Sequence, residues 1–384
     1  MDYLLTEEQR EIQKLARDIA RNTVAPKAEY YDRHDEFPHD MVKVFAQADL
    51  FRIFIPEEYD GLGMGTLELC LTAEELSRAC TGIALALLGT SLGTEPILVM
   101  GSDEQKKRYL PRIAAGETLA AFALTEADAG SDPAAVRTRA RREGDTYILD
   151  GTKQWITNGG EADVYTVVAS TDPTRGARGL SVFIVEKGTP GFEFGKKEDK
   201  LGIRASATRE LIFQNCVVPA ENLLGKEGHG FITAMRTFDR TRPGVAAQAV
   251  GVAQGALDHA LAYAKERRQF GQPISSFQGI QFMLADMAMK TEAARALTYA
   301  TARMIDSGAK DCSRYSAECK AFASDVAVQV ATDALQIFGG YGYMREYPIE
   351  KYYRDAKITQ LYEGTNQIQR QVIALDLIRT AGRD

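Results

Sequence analysis

Glu363 stands between Tyr362 and Gly364 in the stretch LYEGTNQIQR, residues 361–370. A carboxylate beside an aromatic ring and a residue without a side chain, at the edge of apolar surroundings, can have a raised pKa and act as a general base. The chain holds 53 Asp and Glu, so one such acid taken singly also reads as solvated surface. A second stretch, AFALTEADAGSD over 121–132, runs an apolar strand into small residues. Small side chains let a backbone approach a ligand, and free N–H groups at such a turn can hold an anionic group; an ordinary strand-end turn has the same look. The third, KQWITNGG over 153–160, holds the only tryptophan. On a strand, that indole is either core or the flat wall of a cofactor pocket.

Other stretches lack what their chemistry needs. The run Gly61-Leu62-Gly63-Met64-Gly65 follows 51–55, which reads as a strand, but Thr66 occupies the place where a dinucleotide fingerprint has its last glycine. Gly225-Lys226 is followed by Glu227 rather than Ser or Thr, so it is no phosphate loop. Cys70, Cys80, Cys216, Cys312 and Cys319 form no CxxC pair, and with four histidines in the chain no metal site is expected. His34 and His39 read as a solvated loop near Pro38. With 46 Lys and Arg against 53 acids the net charge is −7, which disfavours nucleic acid and anionic membranes as partners. The longest apolar run, 83–92, is short and broken by Gly89, so no membrane span is expected. The amphipathic start MDYLLTEEQREIQKLARDIA has neither signal-peptide nor transit-peptide character. These features predict a soluble intracellular protein, cytoplasmic in a bacterium or in the mitochondrial matrix if a processed eukaryotic chain.

Three regions must position these residues. Over 1–120 apolar residues recur at helical steps: Leu4, Ile12, Leu15, Ala16 and Ile19 make one face, Thr6 is a cap, and helices are expected at 67–80 and 102–115, the latter opening SDEQ. From 121 to 229 the segments shorten, to 121–124, 136–140, 146–149, 164–169, 180–185 and 210–213, separated by Gly, Asn, Asp and Pro turns. That spacing predicts an antiparallel β domain. From 230 to 384 long Ala-rich helices return, at 231–241, 244–267, 280–307 and 314–338, with Phe322, Val326 and Val330 in step and Gly339-Gly340 as the stop. The fold class is α+β: an N-terminal helical domain, a middle antiparallel β domain and a C-terminal four-helix bundle.

Taken together, the three stretches resemble the acyl-CoA dehydrogenase family. FDRTRP (238–243), ERRQFGQPI (266–274), QFMLADMAMK (281–290) and QIFGGYGY (336–343) extend the resemblance, in order, over the whole chain. The resemblance implies bound FAD, oxidation of the Cα–Cβ bond of an acyl-CoA thioester to a trans-2-enoyl-CoA, and electrons passed to an electron-transferring flavoprotein. It also implies a homotetramer built as a dimer of dimers.

By the same resemblance, Glu363 is the catalytic base that takes the α-proton while the β-hydride goes to flavin N5. Its own N–H and the ribityl 2′-hydroxyl would polarise the thioester carbonyl. Phe122, Leu124, Thr125, Gly130 and Ser131 match the loop along the flavin, with Ser131 also near the pantetheine. Trp155, Ile156 and Thr157 match the segment covering the isoalloxazine. Arg267, Phe270, Gln278, Gln336, Ile337, Gly339 and Gly340 match positions that reach the FAD of a neighbouring subunit, Arg267 at its pyrophosphate. Thr365 and Gln367 match further cofactor contacts. Phe238, Asp239, Thr241 and Arg242 match the lining of the CoA portion, and Gly364 follows the base.

Segment 81–92 matches the acyl-tail wall. Ala84, Leu85 and Leu88 are expected there, with Ile83 at about the point where relatives that oxidise glutaryl-CoA place an arginine. An apolar acyl group of short or medium length, linear, branched or alicyclic, is therefore expected. Rival readings are an acyl-CoA oxidase, a flavin monooxygenase on the same scaffold, and a DNA-binding member. The chain length, Glu363 and the negative net charge speak against them in turn.

Overall fold

The computed structural model describes residues 3–381. Thr6 opens α1 (Glu7–Ile19) with a reciprocal cap: its hydroxyl accepts from the Gln9 N–H at 3.2 Å, and the Gln9 side chain accepts from the Thr6 N–H at 3.0 Å. Ala16 and Ile19 of the expected stripe are buried, whereas Leu4, ahead of the helix, and Leu15 are exposed. A π turn, Ala20–Val24, leads toward α2 (Ala28–His34), and α3 (His39–Gln47) comes next. His34 and His39 are exposed, but they end one helix and begin the next rather than sitting in a loop. The segment 51–55 is not a strand. A 3-10 turn, Leu50–Arg52, runs directly into a second turn there, with Phe51, Ile53 and Ile55 wholly buried; the apolar alternation serves packed turns.

The next helix, α4 (Thr66–Met100), is extended at Cys80 (φ −162°, ψ 108°) and resumes at once, so the helix expected over 67–80 ends where a second one starts. By length and composition α4 is able to cross a membrane, which the sequence reading did not anticipate. Of its most apolar stretch 72% is buried inside the fold, so this apolarity is that of a core helix. α4 lies directly on strand β1 (Ala120–Ala123): a Cβ on Gly93 would come within 2.3 Å of the Ala121 nitrogen. The intervening α5 (Asp103–Ala114) carries the Ser102–Gln105 capping box.

The middle of the chain adds β2 (Arg139–Glu143), β3 (Thr146–Thr157), β4 (Val164–Ser170), β5 (Leu180–Glu186), β6 (Phe192–Lys197), β7 (Thr208–Pro219) and β8 (Leu223–Leu224). They form an eight-stranded sheet in the order β6-β7-β3-β2-β4-β5-β8, with β1 against β4. Pairing is antiparallel except for β1 with β4 and the single β2–β4 contact, Arg139 to Ser170. The β2–β3 hairpin lies between β1 and β4 in sequence, an excursion long enough for a parallel return. β6 was not foreseen; its Phe192 stacks on Phe213 of β7 at 4.9 Å.

Past the sheet, α6 (Gly230–Glu266) runs unbroken through Pro243, where the sequence suggested two helices. Proline cannot donate to the carbonyl four residues back, that of Asp239. The Ser316 hydroxyl does so instead at 2.6 Å, so the interruption costs no hydrogen bond. A two-residue ribbon of β9 (Arg268–Gln269) and β10 (Gln272–Pro273) leads to α7 (Gln278–Asp306) and α8 (Ser313–Phe338). Gly339, at φ 62°, stops α8 as expected. Val326 and Val330 face the core, but Phe322 of the same expected stripe is exposed. α6, α7 and α8 pack on one another; α10 (Asn366–Thr380) completes the bundle against α8, with α9 (Ile349–Thr359) against α6 and α8.

Candidate active site

One cleft opens where α4, the β1 and β3 ends of the sheet, α6 and the α9–α10 loop meet. Leu85, Leu88, Gly89 and Leu92 enter it from α4 at steps of three and four, one helical face. Phe122, Leu124 and Thr125 come from β1 and its exit, and Trp155, Ile156 and Thr157 from the end of β3. α6 contributes Phe238 and Thr241, and the loop contributes Tyr362 and Glu363.

The Glu363 carboxyl accepts from the Thr241 hydroxyl at 2.7 Å. Burial pushes it up to about 7, while the Thr241 hydrogen bond and the nearby Arg242 and Lys320 cations pull it the other way. A carboxylate held near neutrality, in an apolar cleft, can take a weakly acidic C–H proton and hold it. Arg242 is buried, donating to the Glu363 carbonyl at 3.3 Å and pairing with Asp239 at 3.3 Å. It therefore acts on the base's backbone rather than facing a ligand. Gly364, with a φ of 91°, completes the turn.

The wall carrying the tryptophan is built by a bulge. β3 slips register against β7 between Lys153 and Ile156, and Trp155 takes a φ of 59°. Lys153 consequently turns inward to complete burial, while Trp155 stays 56% exposed at the cleft. The Lys153 ammonium donates to the Leu124 carbonyl at 2.8 Å and the Glu126 carboxylate at 2.7 Å. Glu126 in turn accepts from the Arg137 and Thr138 N–H groups at 2.7 and 2.9 Å, closing the loop between 126 and 138. Burial pushes Lys153 down to about 8, still cationic at neutral pH. The lone tryptophan is thus cleft wall, and the lysine two residues before it is the buried anchor.

Several expected residues lie elsewhere. Ile83 and Ala84 are wholly buried in the core and do not line the cleft; Ile83 sits on another face of the helix that shows Leu85, Leu88 and Leu92, while Ala84 packs one turn below Leu88. Gly130 and Ser131 form an exposed turn beyond the cleft. Arg267 follows the end of α6, Phe270 lies in the turn between β9 and β10, Gln278 opens α7, and Gln336, Gly339 and Gly340 stand at the end of α8; all lie outside the cleft, and Ile337 packs into the bundle core. Thr365 caps α10, accepting from the Ile368 N–H, and Gln367 is exposed in its first turn. Leu92 belongs to the expected 81–92 wall, whereas Leu69, Val245 and Gln248 are cleft residues that the sequence reading missed. Leu92 follows Leu88 by four, and Val245 and Gln248 follow Thr241 by four and seven, so helical spacing carried the signal.

The comparisons with known proteins agree along the chain. Patterns described as the N-terminal, middle and C-terminal domains of acyl-CoA dehydrogenase match residues 6–117, 121–216 and 228–378. The chain belongs to the acyl-CoA dehydrogenase family. An acyl-CoA dehydrogenase of Bacillus subtilis is 50% identical over 375 residues, 97% of this chain and 99% of that one. Butyryl-CoA dehydrogenase from Megasphaera elsdenii superposes with a TM-score of 0.96 at 45% identity, covering 99% of this chain and all of its own. A chain in the structure of the electron transferring flavoprotein of Acidaminococcus fermentans superposes at 0.97 with 51% identity, covering 99% and 100%. The protein is accordingly an FAD-dependent oxidoreductase of acyl-CoA thioesters.

The cleft suits that cofactor. Phe122, Leu124, Trp155 and Ile156 give a largely apolar wall, with the Thr125 and Thr157 hydroxyls among them. That composition fits a flat ring system with polar edges. Beyond it a Cβ built on Gly130 meets no atom within 4 Å, leaving room beside the turn.

Proposed function

We propose that this protein dehydrogenates a short- or medium-chain apolar acyl-CoA between Cα and Cβ, with Glu363 as the base. The observation that carries this reading is a carboxyl raised to about 7, aimed by Thr241 into the cleft that also holds Trp155. Leu85, Leu88, Leu92 and Val245 take the acyl tail and exclude water around the reacting carbons. Thr241 and Arg242 fix the carboxylate and its backbone, and Glu363 removes the α-proton. Bound FAD supplies the acceptor for the β-hydrogen and its electron pair. Flavin reduction by butyryl-CoA should therefore fall about tenfold per pH unit below 7, as the base becomes protonated, and level off above it. Stopped-flow traces from pH 5.5 to 9 test this; a flat profile through pH 6 removes Glu363 as the titrating base.

The tail pocket should reject dicarboxylates. No Lys, Arg or His is among its lining residues, and Arg240, the cation beyond Leu92, is committed to buried Glu95. Desolvating a second carboxylate without a partner is costly. Glutaryl-CoA should reduce the flavin at least ~100-fold less efficiently than butyryl- or hexanoyl-CoA, a gap of ~2.7 kcal/mol. Equal efficiency would mean that a cation from another segment reaches the pocket. Ile83 is core, so an arginine placed there is not expected to supply that cation.

The electron acceptor in this reading is an electron-transferring flavoprotein, supported by the likeness to the Acidaminococcus chain. A homotetramer, a dimer of dimers in a bacterial cytoplasm, fits the exposed Phe270 of the β9–β10 turn, Phe282 and Met289 of α7 and Tyr343 after α8, since large exposed apolar side chains mark interaction surfaces. A substrate panel from C4 to C16, with branched, cyclic and dicarboxylic acyl-CoAs, scored by anaerobic flavin bleaching, tests the function as a whole.

A further inference from the structure

The turn that carries Glu363 is strained. Glu363 has a φ of 51° and Gly364 one of 91°; a non-glycine residue in the left-handed region persists only where its surroundings impose it. The two carbonyls of this turn meet donors from three helices. Arg242 of α6 donates to the Glu363 carbonyl, and Gln369 of α10 donates to both, at 3.1 and 3.0 Å. Lys320 of α8 donates to the Gly364 carbonyl at 2.8 Å.

Lys320 differs from the other two in its cost. It is wholly buried, and among the described residues it has no ion pair. Its second acceptor is the neutral Asn366 side chain at 2.9 Å, which itself donates to Ala321, Ser324 and Asp325. A neutral donor such as glutamine would hold the same carbonyl without burying a charge. The remaining charges around the site are mostly compensated. Arg242 pairs with Asp239 from α6, Asp325 of α8 with Arg370 of α10, and Asp355 of α9 with Lys351. Tyr362 of the loop and Cys319 of α8 are neutral groups, both buried or partly so. Lys320 and Glu363 are left as the uncompensated cation and the uncompensated anion.

We propose that Lys320 is a positioning residue for the reaction: it pins the Glu363–Gly364 turn through the Gly364 carbonyl and holds a positive charge behind the base that favours its ionised form. Burial pushes Lys320 itself down to about 7, with the Glu363 charge acting against that shift, so the cation is present below neutrality, the range in which Glu363 exchanges its proton. The same cation is one of the groups that limits the rise at Glu363. This inference rests on Glu363 being the base.

The test uses flavin-loaded Lys320→Met and Lys320→Gln, with anaerobic flavin reduction by butyryl-CoA followed from pH 5.5 to 9.5. In Lys320→Met the limiting rate should fall about 10- to 100-fold, and the midpoint of the pH profile should move up by about one pH unit, since both the donor and the charge are gone. Lys320→Gln should recover most of the limiting rate while keeping the raised midpoint, because the amide restores the hydrogen bond alone. An unmoved midpoint in both variants overturns the proposal, whatever happens to rate or thermal midpoint. Failure of both variants to yield folded holoenzyme also overturns it, since Lys320 would then serve the scaffold. Glu363→Gln run alongside separates the two readings: if that variant stays active the base itself is misassigned, and if it is inactive an unmoved Lys320 profile removes only Lys320.

Discussion

Glu363→Gln should yield yellow, FAD-loaded protein that no acyl-CoA bleaches, with turnover down ~10³-fold or more, the scale of losing a positioned general base. The amide matches the carboxyl in shape and can keep the Thr241 contact at 2.7 Å, so the cleft and its wall should survive. What it cannot do is accept and hold a proton. Flavin content and thermal midpoint should stay at wild-type values, separating lost chemistry from lost structure. Retention of more than about a tenth of wild-type turnover would place the base elsewhere. Asp239 would then be tested next, although its carboxyl is held by Arg242 and Ser313 and does not line the cleft.

Arg267→Ala should release FAD and break the oligomer in one step. Among the described residues Arg267 pairs with no carboxylate; its guanidinium lies over the Tyr341 ring at 5.2 Å, beside the Gly339-Gly340 turn. Its backbone is fixed at both ends, the N–H on Tyr263 and the carbonyl accepting from Ile274, each at 2.8 Å. A guanidinium so placed has a free fork for paired phosphate oxygens. With that fork on the FAD pyrophosphate of a neighbouring subunit, the position the family resemblance implies, its loss would leave the phosphate unpaired, a cost of ~2–5 kcal/mol. Dialysis followed by size-exclusion chromatography should show a colourless, smaller species. Unchanged flavin in an intact assembly would remove Arg267 from the cofactor site.

The three motif stretches were legible because each sits at the end of a regular element, where local sequence sets local structure. AFALTEADAGSD leaves β1, KQWITNGG ends β3, and LYEGTNQIQR joins α9 to α10. The helix–sheet–helix order was legible for the same reason, as the hydrophobic period changes near 121 and 230. What stayed hidden depends on partners distant in sequence. Pro243 reads as a break unless Ser316 is known to take the freed Asp239 carbonyl. Ile83 and Leu85 are equally apolar, and only the docking of α4 on the sheet decides that one is core and the other cleft. Lys153 and Lys320 look like surface lysines by composition. Each is buried because a bulge in one case, and a strained turn in the other, needs a donor from inside.

The central claim is that the α-proton leaves to Glu363 as the Cα–Cβ bond is oxidised. Single-turnover, anaerobic flavin reduction by butyryl-CoA deuterated at C2 tests it most directly, with material deuterated at C3 as the companion. Both labels should slow bleaching in the wild type, crotonyl-CoA should form in step with reduced flavin, and neither label should give bleaching in Glu363→Gln. Bleaching slowed by the C3 label but indifferent to the C2 label, at every pH from 5.5 to 9, would contradict the account.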